Sequence, residues 1–165
     1  MAAVEGKNTS QVNENVITIE RVFNAPKESL FAMFSSAENL ARWWGPTEWP
    51  ATIVTFNFAP GGVCHYYMHG PDGTKAWGLM KIVDIKEPDM LVFKDIFSDE
   101  QGNVSEELPQ GDITFTFVEE DGKTTLTMTG QYGSVEDTKK LVEMQMLDGM
   151  ADTWNQLARL VESAQ

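Results

Sequence analysis

The 165-residue sequence holds a single cysteine, Cys64, so no internal disulfide can form. Cys64 is expected to pack as a small buried hydrophobe rather than to react. Histidine is nearly absent too: His65 and His69 are the only two, and four residues along a strand set them about 13 Å apart, too far to chelate one ion unaided. No metal site is expected. Basic residues are scarce, with 12 Lys and Arg against 25 Asp and Glu for a net charge of −13, which repels phosphate backbones and anionic headgroups alike. Neither nucleic acid nor a membrane is an expected partner. No apolar run approaches the roughly 18 residues of a membrane-spanning helix. GxSxG, HExxH, CxxC, the P-loop and the dinucleotide fingerprint are all missing, so no cofactor and no catalytic set is expected.

The opening "MAAVEGKNTSQVNEN" has no apolar segment behind a basic end, which argues against a secretory signal and for the cytoplasm. Residues 1–14 are expected to form a mobile polar tail. Sequons at Asn8 and Asn103 carry little weight without export. The remaining length is enough for one sizeable core, and residues 15–165 are read as a single domain, a monomer or homodimer.

What the sequence does have is organised. "NVITIERVF", Asn15 to Phe23, is rich in β-branched residues and predicts a strand. Pro26 suits the first turn of a helix, in which Leu30, Phe31 and Phe34 share a face. Ser36 can cap a second short helix carrying Leu40, Trp43 and Trp44, ended by Gly45-Pro46. Six β-rich runs follow, at 51–58, 63–69, 75–86, 90–98, 111–119 and 123–132, joined by turn signals such as Gly70-Pro71-Asp72-Gly73 and Asp121-Gly122. Neighbouring strands should therefore be antiparallel. Residues 99–111 form a connection long for a hairpin. Ser134 opens a last helix to about Ser163, with Leu141, Met144, Leu147, Ala151, Trp154, Ala158 and Val161 on one apolar stripe. The only large surface that can bury this stripe is the inner face of the sheet, which predicts an α+β domain.

Period-two alternation puts Phe56 with Phe58, Cys64 with Tyr66 and Met68, Phe93 with Asp95 and Phe97, Phe115 with its neighbours, and Met128 on inward faces. Strand 75–86 is ambiguous, because Trp77 and Leu79 compete with Met80 and Ile82. A solid core and an adaptable apolar pocket explain this set equally well.

Trp43-Trp44-Gly45-Pro46, Gly61-Gly62, "MHGPDG", "EPDMLV" and "GMADTWNQLARL" together resemble the bacterial homologues of the heat-shock protein 90 ATPase activator, in the START-like superfamily, from about Ile17 to Val161. The resemblance implies a helix-grip fold, in which a curved antiparallel sheet wraps a long C-terminal helix around a cavity for small hydrophobic molecules. Two departures stand out: Thr153 precedes Trp154 where relatives often have glycine, and Cys64 stands where an aromatic is common, a change that could enlarge the pocket.

The expected ligand-binding set is Trp44, Trp49, Phe56, Phe58, Cys64, Tyr66, Met68, Phe93, Asp95, Phe97, Phe115, Met128, Met144 and Trp154. Consecutive helical residues point about 100° apart, so Trp43 can anchor the core while Trp44 turns to the cavity mouth, with Trp49 beside it. The leading expectation is non-catalytic binding of a small hydrophobic or aromatic molecule. A chaperone-regulating module is the competing reading, although the fourteen residues before the first strand are too few for the extra N-terminal domain of the family's namesake. A cyclase-like or hydrolase-like enzyme would have to use Asp95 and Tyr66.

Overall fold

The computed structural model describes residues 3–162. Its elements run β1 (Thr9–Asn13), β2 (Val16–Phe23), α1 (Lys27–Ala32), α2 (Ala37–Ala41), β3 (Ala51–Phe56), β4 (Val63–His69), β5 (Lys75–Lys86), β6 (Met90–Phe97), β7 (Gly111–Glu120), β8 (Lys123–Gln131), α3 (Val135–Glu143) and α4 (Met146–Glu162). The eight strands form one antiparallel sheet in the order β1-β2-β8-β7-β6-β5-β4-β3. β3 to β8 follow one another as a meander, whereas α1 and α2 carry the chain from β2 to the opposite edge. The helix-grip fold implied by the resemblance is the one observed, with α4 lying on the inner face of the sheet.

Local chemistry explains these elements. Ser36 Oγ accepts the Asn39 N–H at 3.2 Å at the start of α2, and Ser134 Oγ accepts that of Asp137 at 3.1 Å at the start of α3, each satisfying an otherwise orphaned donor. Asp121 and Gly122 both have positive φ, 54° and 78°, as a type I′ hairpin requires. Trp154 is fully buried between Phe23 and Phe115, at centroid distances of 6.0 and 6.2 Å. Polar contacts pin α4 at several points: Arg21 Nη1 donates to Asn155 Oδ1 at 2.6 Å, Gln156 Nε2 to the Gly45 carbonyl at 2.8 Å, and the Thr47 hydroxyl to Asp152 at 2.8 Å.

Two expectations need correction and one ambiguity is resolved. Residues 9–13, read as part of a mobile tail, form β1 and pair with β2 from Thr9–Glu20 to Asn13–Val16. Nearly every side chain of β1 is exposed, so no alternation betrays it, and it is held at the edge by its ladder hydrogen bonds and by the Thr9 hydroxyl, which donates to the Glu20 carbonyl at 3.4 Å. The final helix is not continuous, because Gln145 adopts φ 67° between α3 and α4; neither glycine nor proline marks that break. In β5, Met80 and Ile82 belong to the main core, while the Trp77 ring packs at a tilt against Tyr67 (4.7 Å) and His65 (4.9 Å) on the other face. A register shift between Ile82 and Asp84 changes the phase along this strand and explains its mixed pattern.

Candidate functional site

A cavity of about 260 Å³ opens between one end of the inner sheet face and the α3–α4 junction. β4 contributes Tyr66 and Met68, β6 Phe93, Asp95 and Phe97, β7 Ile113 and Phe115, and β8 Met128. Tyr132 follows β8, Pro109 comes from the loop before β7, and Trp44, Gly45 and Pro46 close one side. Over the top lie Leu141, Met144, Gln145, Met146, Gly149, Met150 and Thr153. The break at Gln145 turns the chain so that residues 144–146 all reach the cavity, which one unbroken helix face could not do.

Of the residues expected from sequence, Trp44, Tyr66, Met68, Phe93, Asp95, Phe97, Phe115, Met128 and Met144 line this cavity. Trp49, Phe56, Phe58, Cys64 and Trp154 do not. The Trp49 ring lies against Gly70 in the β4–β5 turn, where a methyl on Gly70 would stand 2.7 Å from Cη2. Phe56 and Phe58 stack on each other with parallel rings, and Phe31 of α1 packs edge-on against Phe58. Cys64 is buried in the core, where burial pushes its thiol up to about 12. It shares a face with Tyr66 but sits further from the opening. Alternation fixes which face a side chain takes, not how far along the strand a cavity lies. Trp154 points into the solid core beside the cavity.

Polar chemistry in the cavity centres on Asp95. Its partly buried carboxyl accepts a long hydrogen bond, 3.5 Å, from the Tyr66 hydroxyl. Desolvation raises it to about 6, and the Tyr66 bond opposes that rise. Tyr66 is raised well above the ordinary phenol value, first by burial and then by the Asp95 charge. The Trp44 indole N–H is buried without a well-formed hydrogen bond, yet it lies close enough to the Tyr66 hydroxyl to oppose that shift. Tyr132 is raised for the same two reasons as Tyr66, burial and then Asp95. Among the described residues no Lys, Arg or His lines the cavity.

Glycines make this arrangement possible. The Tyr66 ring crosses Gly78 of β5 toward Asp95 on β6, and a methyl at Gly78 would stand 2.6 Å from Tyr66 Oη. Tyr132 lies over Gly111 and Gly130, whose added methyls would come within 2.5 Å of its Cε1 and 2.7 Å of its hydroxyl. Both tyrosines thus lie flat on the sheet along tracks cleared of side chains. Tyr132 escaped the sequence reading, although glycines inside strands are the signal of such close approach. Gly78→Ala is expected to cost about 1–3 kcal/mol by forcing the Tyr66 ring off its track. Gly149→Ala, whose methyl meets only Pro46 Cγ at 3.4 Å, should be neutral or slightly stabilising because alanine favours helix. Urea denaturation of the two variants checks this, and equal midpoints would show that the Gly78 track is not constrained.

Among the described residues no group of three or more His, Cys, Asp or Glu side chains is placed to hold a metal ion, and no helix is long and apolar enough to cross a membrane.

Comparison with known proteins agrees with the architecture. The family model described as "Activator of Hsp90 ATPase homolog 1-like protein" matches residues 24–162. A solved structure from Arthrobacter aurescens is 34% identical, covers 94% of this chain and 91% of its own, and superposes with a TM-score of 0.89. One from Mycobacterium smegmatis is 33% identical over 93% of this chain and 94% of its own, with a TM-score of 0.84. A Silicibacter pomeroyi structure described as an AHSA1 protein shares the fold at 19% identity and a TM-score of 0.71, covering 91% of this chain and 99% of its own. No curated protein matches the sequence. With its sheet, its C-terminal helix and the match over residues 24–162, the chain belongs to the Activator of Hsp90 ATPase homolog 1-like family, as a START-like ligand-binding or regulatory module.

Proposed function

We propose that this protein binds a small, predominantly apolar molecule in the cavity between the sheet and α4, without transforming it. One observation carries the reading: five of the nine methionines, Met68, Met128, Met144, Met146 and Met150, gather on a cavity whose wall also carries the aromatic side chains of Trp44, Tyr66, Phe93, Phe97, Phe115 and Tyr132. Methionine is flexible and polarizable, and it adapts to ligand shape where a close-packed Leu or Ile core would not. A volume of about 260 Å³ lies just below the usual range for ligand pockets, roughly 300–1,000 Å³, and suits a compact molecule of one or two rings. Support for a non-catalytic role comes from the polar lining, which is Tyr66, Asp95, Tyr132, Gln145 and Thr153. The Thr153 hydroxyl is committed to the Gly149 carbonyl at 2.8 Å, and the one hydroxyl beside a base, Tyr66 at 3.5 Å from Asp95, is held well above the ordinary phenol value by burial, which keeps it a poor nucleophile.

The test uses neutral probes, 1-naphthylmethanol and 1-decanol, followed by thermal shift and tryptophan fluorescence. Saturable binding at a hundredfold excess over Kd should stabilise the protein by about 2.7 kcal/mol, on the order of 5 °C for a domain of this size. Met150→Trp, which fills the space from α4, should abolish the shift. Absence of any saturable response across both probes, or undiminished binding by the filled variant, would count against the cavity.

The family's description favours a second reading, regulation of a chaperone ATPase. Adding the purified protein to the chaperone of its own organism and following ATP turnover tests it directly. A reproducible change in rate would place this reading first.

A further inference from the structure

Asp95 is more than a polar spot in an apolar wall. Its carboxyl faces the cavity, and its one protein hydrogen bond, from Tyr66, is 3.5 Å long. None of the three ion pairs among the described residues involves it. A carboxylate placed this way lacks the cation or the several donors that usually offset its desolvation. The sheet nevertheless builds the place with care, since glycine at 78 admits Tyr66 and glycines at 111 and 130 admit Tyr132.

We propose that Asp95 is the counter-ion for a protonated amine, so that the ligand class is a compact apolar or aromatic ammonium; this rests on the cavity being a binding site. The partner must bring positive charge, because the lining supplies none. Rings of Trp44, Phe93 and Phe97 offer faces for the cation–π contacts that ammonium groups favour. A molecule of net charge −13 also raises the local concentration of cations over anions. An acceptor-bearing ligand fits less well: the Trp44 N–H is closed off from the cavity, and the Tyr66 hydroxyl already points at Asp95.

The groups facing Asp95 separate its titration from theirs. Across β5 it meets Met80, and across β7 Gly111, neither of which titrates. Tyr66 of β4 and Tyr132 after β8 are both raised above the ordinary phenol value, and Cys64, behind Tyr66, is raised to about 12. The α3–α4 junction brings Met144, Gln145 and Met146, without charge. Between pH 5 and pH 8 only Asp95, raised to about 6 by desolvation, changes charge inside the cavity. Amine affinity should therefore climb as pH rises through that value.

Isothermal titration calorimetry with three matched probes, 1-naphthylmethylamine, 1-naphthylmethanol and 1-naphthoic acid, tests the assignment. At pH 8 the amine should bind at least about tenfold more tightly than the alcohol, and the acid more weakly than either, since an ion pair in a partly dry site is worth more than at a surface. The amine's advantage should vanish in Asp95→Asn, and in the unmodified protein at pH 5. Equal binding of amine and alcohol at pH 8 would overturn the counter-ion role and leave the cavity as a general apolar site. An advantage that survives Asp95→Asn would overturn it as well. Failure of all three probes to bind would remove the cavity reading and this one together.

Discussion

Trp43→Ala is expected to lower stability by about 3–5 kcal/mol, far more than the same change at Trp44 or Trp49. Trp43 is 1% exposed, its Nε1 donates to the Met33 carbonyl at 2.9 Å, and its ring meets Phe34 edge-on at 4.8 Å and Trp44 at 5.3 Å. Truncation opens a large void where α1, α2 and the sheet converge, and it leaves the Met33 carbonyl without its buried donor. A loss of that size is a large part of the roughly 5–15 kcal/mol that holds a domain folded. Trp44 lies on the cavity, so its removal enlarges space that already exists, and its unbonded N–H goes with it. Trp49 rests half-exposed against Gly70. Urea denaturation of the three alanine variants separates the roles, and similar losses at Trp43 and Trp49 would sink this ranking.

The tryptophan cluster shows how far the sequence reaches. Trp43 does enter the core and Trp44 does reach the cavity, but α2 ends at Ala41 instead of carrying both tryptophans, so they lie in the turn beyond it and the regular 100° helical step is not what aims them. Trp49 lies beyond Gly45, whose φ of 92° redirects the chain, and no local rule carries a direction through such a turn. The same division runs through the sheet. The positions of β2 to β8, the two tight turns and, β5 apart, the inward faces are legible because turn residues and period-two alternation are local signals, whereas the exposed β1 carries no such signal. Which end of the sheet is filled, by Phe31 of α1, Phe34 just beyond it and Phe58 after β3, and which is left open near Asp95, depends on packing between distant segments. Cys64, Phe56 and Phe58 were therefore legible as inward but not as outside the cavity. Gln145 illustrates a further limit: a non-glycine residue at φ 67° gives no compositional warning, and the apolar stripe runs on across the break.

Asp95→Asn should stabilise the protein without ligand at neutral pH. The carboxyl stands at about 6 in the folded protein against an ordinary 3.8, a difference worth about 3 kcal/mol at full expression. The folded state therefore holds its proton more tightly than the unfolded chain. The stability associated with the protonated acid is fully present below about pH 3.8, is lost as pH rises toward and through about 6, and stays lost above. Asparagine carries no charge to desolvate, and its carbonyl can still accept from the Tyr66 hydroxyl. Relative to the unmodified protein, the variant should gain on the order of 1–3 kcal/mol above pH 7, a rise of roughly 5 °C in Tm. The gain should shrink steadily below pH 6 and disappear near pH 3.5. Urea midpoints for both proteins at intervals from pH 3.5 to 8 give the full curve. Parallel curves with no pH-dependent gap would mean that water reaches the carboxylate freely, and Asp95 would then be an ordinary surface acid. A gap of the stated sign, together with loss of amine binding in the same variant, would identify a residue whose charge costs the empty fold stability and serves the ligand, the expected signature of a binding group rather than a structural one.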